Sequence, residues 1–247
     1  MQKDVETVSP PDGQPALISR PARKSRLVLF DCDGTLVDSL HAIVAAMTRG
    51  WRAMGLGDPD PATIRRCAAL APTEMIAVLL PGAEDWLIKR LAGLYRSAYY
   101  QPAPFQQPTA EPLVPGMREA LTYLRSCGLS LGIATGKSRR GLASVLDYHR
   151  LSDRFTTLQT ADVCLGKPNP DMVFRAQEES GAAAADTVVV GDSPQDIEMA
   201  RQAGVMAVGV SWGFYEAAEL KRAEPHDIVH NPDEMARRVL TLLGWSP

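Results

Sequence analysis

The side chains with the most chemical capacity are Asp31, Asp33, Thr135, Lys167, Asp192 and Asp196. Asp31-Cys32-Asp33-Gly34-Thr35 follows the apolar run Leu27-Val28-Leu29-Phe30. Side chains alternate along an extended chain, so the two acids can face one site. Close carboxylates repel unless a cation lies between them or one is protonated. Read by themselves, they serve equally well as turn and cap aspartates. A second acidic segment, Val190-Gly191-Asp192-Ser193-Pro194-Gln195-Asp196, also follows an apolar run. Asp196 falls one helical turn after Asp192 and can reach back to it, or it is a first-turn acid favoured by the helix dipole. Three acids at strand ends suit magnesium, a hard cation that takes oxygen ligands and keeps several waters. Thr135-Gly136-Lys137-Ser138 offers a hydroxyl and backbone N–H groups for a phosphate oxygen. Lys167, in Gly166-Lys167-Pro168-Asn169-Pro170, can bridge a phosphate and Asp31 as a compact positive charge. Each of the last two motifs, taken alone, is ordinary turn chemistry.

These residues need elements that bring them together. Leu27–Phe30 reads as a buried parallel strand, and Leu129–Ala134, Phe155–Leu158, Thr187–Val190 and Met206–Val210 look alike. Helical patterns such as Met117–Ser126, Asp171–Ser180 and Pro194–Ala203 separate them. Strands alternating with helices predict an α/β fold, a doubly wound parallel sheet covered on both faces. From Ser39 to Tyr100 there is no strand signal. Leu40–Met54, Ala62–Leu70, Thr73–Leu80 and Ala83–Tyr100 read as four helices punctuated by glycine and proline. That is too long for a simple crossover. The expected division is therefore a disordered tail over 1–25, a catalytic core over 26–38 and 113–247, and a helical cap with its return linker over 39–112. Pro102, Pro104, Pro108 and Pro112 should stiffen that linker. Leu36–Asp38 and the linker are the expected hinges of a cap that closes over substrate.

Bulk properties narrow the class. The 247 residues are 45% hydrophobic and 22% charged, enough to fill a core. A net charge of −3 gives no reason to expect nucleic acid or an acidic membrane as partner. No apolar run approaches a membrane span, and the first 25 residues lack the apolar stretch of a signal peptide. Cys32, Cys67, Cys127 and Cys164 show no metal-ligand spacing, which fits reduced thiols in the cytoplasm. Cys32 reads as a small apolar filler pointing away from the acids. Lys137, Arg139 and Arg140 read as a solvated helix start, with anion steering as the alternative. Trp212-Gly213-Phe214 reads mainly as packing. His226 and His230 flank a stretch that reads as extended, which argues against a metal pair there.

In the order acid pair, Thr, Lys, acid pair, each near a strand end, the chain resembles the haloacid-dehalogenase-like hydrolase superfamily. More narrowly it resembles the phosphoglycolate-phosphatase-type branch with a helical cap after the first strand. The resemblance runs from about Leu27 to Leu243. It implies Asp31 as nucleophile, Asp33 as general acid/base, and Thr135 and Lys167 on the phosphoryl group. It implies substrate contacts from Cys32, Gly34, Gly136, Thr135 and Lys167. The implied magnesium site uses Asp31, Asp33 (through its backbone carbonyl) and Asp192, with Asp196 in support. The implied reaction is hydrolysis of a small phosphorylated metabolite through an aspartyl-phosphate, by a monomer or homodimer.

Asp33 argues against the metal-independent dehalogenases of that superfamily, which lack this acid. No lysine lies between Lys24 and Lys89, so the early cap cannot supply the Schiff-base lysine of phosphonoacetaldehyde hydrolases. 2-Phosphoglycolate is the leading substrate. A broad sugar-phosphate, nucleotide or pyrophosphate phosphatase comes second and a β-phosphoglucomutase third. The cap loop Ala68-Ala69-Leu70-Ala71-Pro72-Thr73 departs from the glycine-rich loops of relatives. Thr73 and Glu74 suit either substrate contact or helix capping. A non-catalytic regulatory protein on the same fold is the alternative from another class.

Overall fold

The computed structural model describes residues 25–68, 70–100 and 111–245. The expected N-terminal tail, apart from Ser25, which opens the first strand, and most of the return linker lie outside these residues.

Among the described residues, six parallel strands form one sheet in the order β3-β2-β1-β4-β5-β6. They are β1 (Ser25–Phe30), β2 (Ser130–Thr135), β3 (Thr157–Thr160), β4 (Ala182–Gly191), β5 (Met206–Val210) and β6 (Asp227–Val229). Alternation sends Val28 and Phe30 into one core, with Leu131, Ile133, Val188 and Val190. Leu27, Leu29, Ala134 and Val189 enter the core on the other face. Helices α5 (Met117–Ser126), α6 (Arg139–Tyr148) and α10 (Pro232–Leu242) cover the first face. Helices α7 (Asp171–Ser180) and α8 (Pro194–Gln202) cover the second. Both faces are buried, which explains why the strand sequences run apolar instead of alternating.

The chain winds outward from β1 to β3, then returns to the opposite side of β1 at β4. The loops leaving β1 and β4 therefore diverge, and the crevice between them is where open α/β sheets bind ligands. Asp31 follows β1 and Asp192 follows β4, one on each lip. The strands are in register there, with Phe30 opposite Val190 and the Asp31 N–H donating to the Val190 carbonyl at 2.9 Å.

Between β1 and α5 lie α1 (Leu40–Ala53), α2 (Pro61–Cys67), α3 (Pro72–Leu79) and α4 (Asp85–Tyr100). They share a third apolar core of Met47, Trp51, Ile64, Ile76 and Leu91. That core also takes in Phe214, Tyr215 and Leu220, the last from α9 (Ala217–Arg222), so the insertion rests on the segment after β5. Its two crossings lie side by side: Asp38 N–H donates to the Pro112 carbonyl at 2.9 Å, and Val114 N–H to the Leu36 carbonyl at 3.0 Å.

Three details differ from the sequence reading. The third strand is Thr157–Thr160 instead of Phe155–Leu158, because Phe155 packs into the core ahead of the strand. β4 begins at Ala182 rather than Thr187; Ala182 pairs with Ser25 across a register shift. The extended stretch between His226 and His230 is a sixth strand, flanked by histidines in local bonds. His226 Nδ1 accepts from Ala207 N–H at 3.1 Å, and His230 Nδ1 lies 2.8 Å from Ser211 Oγ.

Candidate active site

Asp31, Asp192 and Asp196 converge. Each offers a carboxylate oxygen, and these oxygens lie within 4.8 Å of one another, all buried. Lys167 Nζ reaches between them, 2.6 Å from Asp31 Oδ1 and 2.6 Å from Asp196 Oδ1. Asp192 is held from both sides: Thr35 Oγ1 donates to Oδ1 at 3.1 Å and Phe214 N–H to Oδ2 at 2.7 Å. Asp196 sits in the first turn of α8, where Ser193 N–H and Oγ–H donate to Oδ2 at 3.2 and 2.6 Å.

Glycines make this approach possible. A Cβ on Gly34 would stand 2.4 Å from Asp192 Oδ2, and the residue has φ +80°. A Cβ on Gly213 would meet Asp192 at 2.2 Å. Only hydrogen fits at either place.

Three buried carboxylates against one buried ammonium leave the cluster short of positive charge. Burial pushes the Asp31 carboxyl up to about 7, helped by Asp196 and Asp33 and opposed by Lys167. Burial, with Asp31 and Asp196 beside it, drives Asp192 well above the carboxylate range. Burial also works against the charge on Lys167, but Asp196 and Asp31 outweigh it and hold the ammonium above its ordinary value. All the donors are hard oxygens, and a divalent cation would relieve their repulsion. The residues therefore fit such an ion.

Asp31, Asp33, Gly136 and Lys167 line one cavity of about 540 Å³, between the sheet edge and the helical insertion. Ile43, Met75, Tyr95, Arg96 and Tyr99 close it from the helical side. Glu74 lines it too and also caps α3, accepting from Ala71 N–H at 3.2 Å. Thr135 is fully buried at the end of β2, its Oγ1 accepting from Lys137 N–H at 3.1 Å. Cys32 packs into the sheet core with Phe30 and Leu36, as a filler should.

Three expectations need correction. The Gly34 N–H donates to the Val37 carbonyl at 2.8 Å, so the loop's own closure uses up the donor expected for substrate. The acid trio contains Asp196 in place of the Asp33 side chain, which turns instead toward Lys137. Among the described residues no backbone hydrogen bond ends on the Asp33 carbonyl, whereas that of Cys32 accepts two, from Leu36 and Val37. Asp33 can thus offer a cation its carbonyl, not its carboxylate. The third correction is Lys137, expected in a solvated helix start. It is only 4% exposed, and its Nζ lies 2.8 Å from Asp33 Oδ1 and 3.0 Å from Glu111 Oε1.

Thr35, Ser193 and the Gly213–Phe214 backbone were not foreseen as parts of the site. Ser193-Pro194-Gln195-Asp196 does carry a legible signal, the capping pattern of a hydroxyl followed three residues later by an acid. Gly213 and Phe214 carry none, because they matter only through a backbone N–H and an absent Cβ. Arg65 of α2 ties that loop to the insertion, its Nε donating to the Phe214 carbonyl at 3.1 Å.

Comparison with known proteins agrees with this geometry. Residues 28–210 match the family model described as haloacid dehalogenase-like hydrolase. The chain is 34% identical to a Dickeya dadantii protein named "Probable phosphatase IndB", over 90% of this chain and 97% of that one. It is 32% identical to a phosphoglycolate phosphatase of Synechococcus elongatus, over 87% and 98%. A solved haloacid dehalogenase-like hydrolase from Streptococcus pneumoniae superposes with TM-score 0.76 at 26% identity, covering 87% of this chain and 98% of that one. Among the described residues, no helix is long and apolar enough to cross a membrane. With the acids at the sheet's switch point and this breadth of similarity, the chain belongs to the haloacid dehalogenase-like hydrolases, on their phosphoglycolate-phosphatase-type branch, and is a phosphatase.

Proposed function

We propose that this phosphatase hydrolyses small phosphomonoesters by magnesium-assisted transfer of the phosphoryl group to Asp31, with 2-phosphoglycolate as the leading substrate. The observation that carries the proposal is the Asp31 carboxylate. It lies on the cavity wall, 2.6 Å from Lys167 and within 4.8 Å of two further buried acids.

Asp31 attacks phosphorus in line, and the bond to the ester oxygen breaks. Asp33, on the same wall, delivers a proton to the departing alkoxide. It then takes a proton from the water that attacks the aspartyl-phosphate, releasing inorganic phosphate and restoring Asp31. Lys167 balances charge on the nucleophile and the phosphoryl oxygens. Asp31, Asp192 and the Asp33 carbonyl would hold magnesium, with Asp196 keeping Lys167 in place. When bound, the ion neutralises phosphate charge that would repel the carboxylate. Thr135 fixes the turn whose Gly136 reaches the cavity wall.

The helices α1–α4 act in this reading as a cap, hinged at the paired crossings, that excludes bulk water. Among the described residues lining the cavity, Arg96 is the cation the helical insertion contributes. A second anionic group on the substrate, such as the carboxylate of 2-phosphoglycolate, would meet it. The Dickeya relative's name specifies no substrate, which favours a broad small-molecule phosphatase as the second reading. A cytoplasmic enzyme acting on a free metabolite, as monomer or homodimer, completes the proposal; the four free cysteines support it.

The test is release of phosphate from 2-phosphoglycolate and from a panel of phosphate esters, with and without magnesium. Wild-type protein should turn over only with the ion, and Asp31→Asn should be inert. Retained turnover by a clean Asp31→Asn preparation refutes the mechanism. A higher kcat/KM for sugar phosphates or nucleotides than for 2-phosphoglycolate moves the substrate to the second reading.

A further inference from the structure

Lys137 is a buried cation that the mechanism above does not use. Its backbone is pinned at the sheet edge: its N–H donates to Thr135 Oγ1, and its carbonyl accepts from Ala161 N–H at 3.2 Å. Lys137 Nζ donates hydrogen bonds to Glu111 and Tyr99, and its charge pairs with Asp33. Asp33 Oδ1 lies at 2.8 Å, Glu111 Oε1 at 3.0 Å and Tyr99 Oη at 2.8 Å. The Tyr99 hydroxyl in turn donates to Glu111 Oε1. These partners come from different parts of the chain. Asp33 is in the loop after β1, Tyr99 in the last turn of α4, and Glu111 on the segment that returns from the insertion to the sheet. The side chains of Lys137 and Glu111 are 3% and 8% exposed, so a broken contact cannot be replaced by water without opening the packing.

We infer that Lys137 is the positioning residue for Asp33, aiming its carboxyl at the leaving group, and that Glu111 and Tyr99 make this aim depend on the seating of the helical insertion. The inference rests on the reading of Asp33 as acid/base. With the insertion seated, Glu111 and Tyr99 hold the Lys137 ammonium against Asp33 Oδ1. With α4 displaced, Tyr99 leaves and Lys137 loses one of the two hydrogen bonds that hold it there. The acid is thus set for proton transfer only when the cavity is closed.

A purely structural role would lower the rate for every substrate alike. An aiming role lowers it only where the leaving group needs a proton. The probes are benzyl phosphate, which leaves as a strongly basic alkoxide, and p-nitrophenyl phosphate, which leaves as a stable phenolate of similar size. For Lys137→Met, kcat/KM for benzyl phosphate should fall about 100-fold and that for p-nitrophenyl phosphate less than about 5-fold, the range general-acid contributions allow. Tyr99→Phe removes one hydroxyl and should give the same pattern at about 10-fold. It decides the matter if circular dichroism finds Lys137→Met unfolded. Equal losses on both esters, or none, overturn the inference. Asp33→Asn is measured alongside. If it too loses both activities equally, the acid/base reading of Asp33 fails, and the inference with it; if it is selective while the Lys137 and Tyr99 variants are not, only the inference fails.

Discussion

Replacing Asp31 with asparagine should abolish turnover and yet make the metal-free protein more stable at pH 8. The ordinary carboxyl value is 3.8, and burial beside Asp196 and Asp33 pushes Asp31 to about 7 despite Lys167. At about 1.4 kcal/mol per tenfold change, ionised Asp31 costs the fold on the order of 4 kcal/mol. Asparagine is neutral and of the same shape, and its Oδ1 can still accept from Lys167. Its amide N–H groups need partners among carboxylates, and imperfect pairing gives back about 1–2 kcal/mol. The net gain is about 2 kcal/mol, or about 4–8 °C in Tm for a chain of this size. The sign follows from proton uptake. Between the unfolded and folded values the native state holds the proton and the unfolded state does not, so wild-type stability falls from about pH 4 to about pH 7. The variant should lack the Asp31 part of that fall, lie about 1–2 kcal/mol below wild type near pH 4, where Asp31 is already neutral and only the imperfect amide pairing counts, and exceed it at pH 8. Urea unfolding in EDTA at several pH values measures this. Added magnesium should stabilise wild type more than the variant, by mass action on the native state. A variant no more stable than wild type at pH 8 in EDTA would refute the claim that this carboxylate is held against its own electrostatics.

Gly34→Ala should place a methyl against Asp192 on a backbone with φ +80°, cost about 1–3 kcal/mol, and raise the magnesium concentration for half-maximal rate about 10-fold; titration of activity with magnesium reports both site and direction. Lys167→Met should remove turnover and destabilise the metal-free protein by about 3–5 kcal/mol, since Asp31 and Asp196 lose their shared cation; chemical denaturation checks it. Ser193→Ala should cost about 1–2 kcal/mol through the lost cap of α8, with kcat reduced as Asp196 loosens, whereas Asp60→Ala, which removes the exposed cap residue of α2, should cost similar stability and leave kcat near wild type.

Most of the framework was legible in the chain because its causes are local. Apolar runs ending in acids announce buried parallel strands with polar groups at their carboxyl ends. Leu27–Phe30 before Asp31 and Thr187–Val190 before Asp192 both behave this way. The helical insertion was legible through punctuation: Gly55, Gly57, Pro72, Pro81 and Gly82 separate segments that fold as α1 to α4 within a few residues of their expected ends. Strand β6 is three residues at the sheet edge, too short for periodicity to mark as more than extended.

What the linear order could not determine is which side chain meets which. Residues from 31 to 196 share one buried cluster because the sheet reverses its winding beside β1, and that is a property of strand order. The same reversal leaves Asp33 facing Lys137 and puts Asp196 in the acid trio. Lys137 reads as a solvated basic residue until Tyr99 and Glu111, far away along the chain, are folded over it. Local propensity decides how a segment folds. The energy of a buried charge depends on partners that only the closed fold brings within 3 Å.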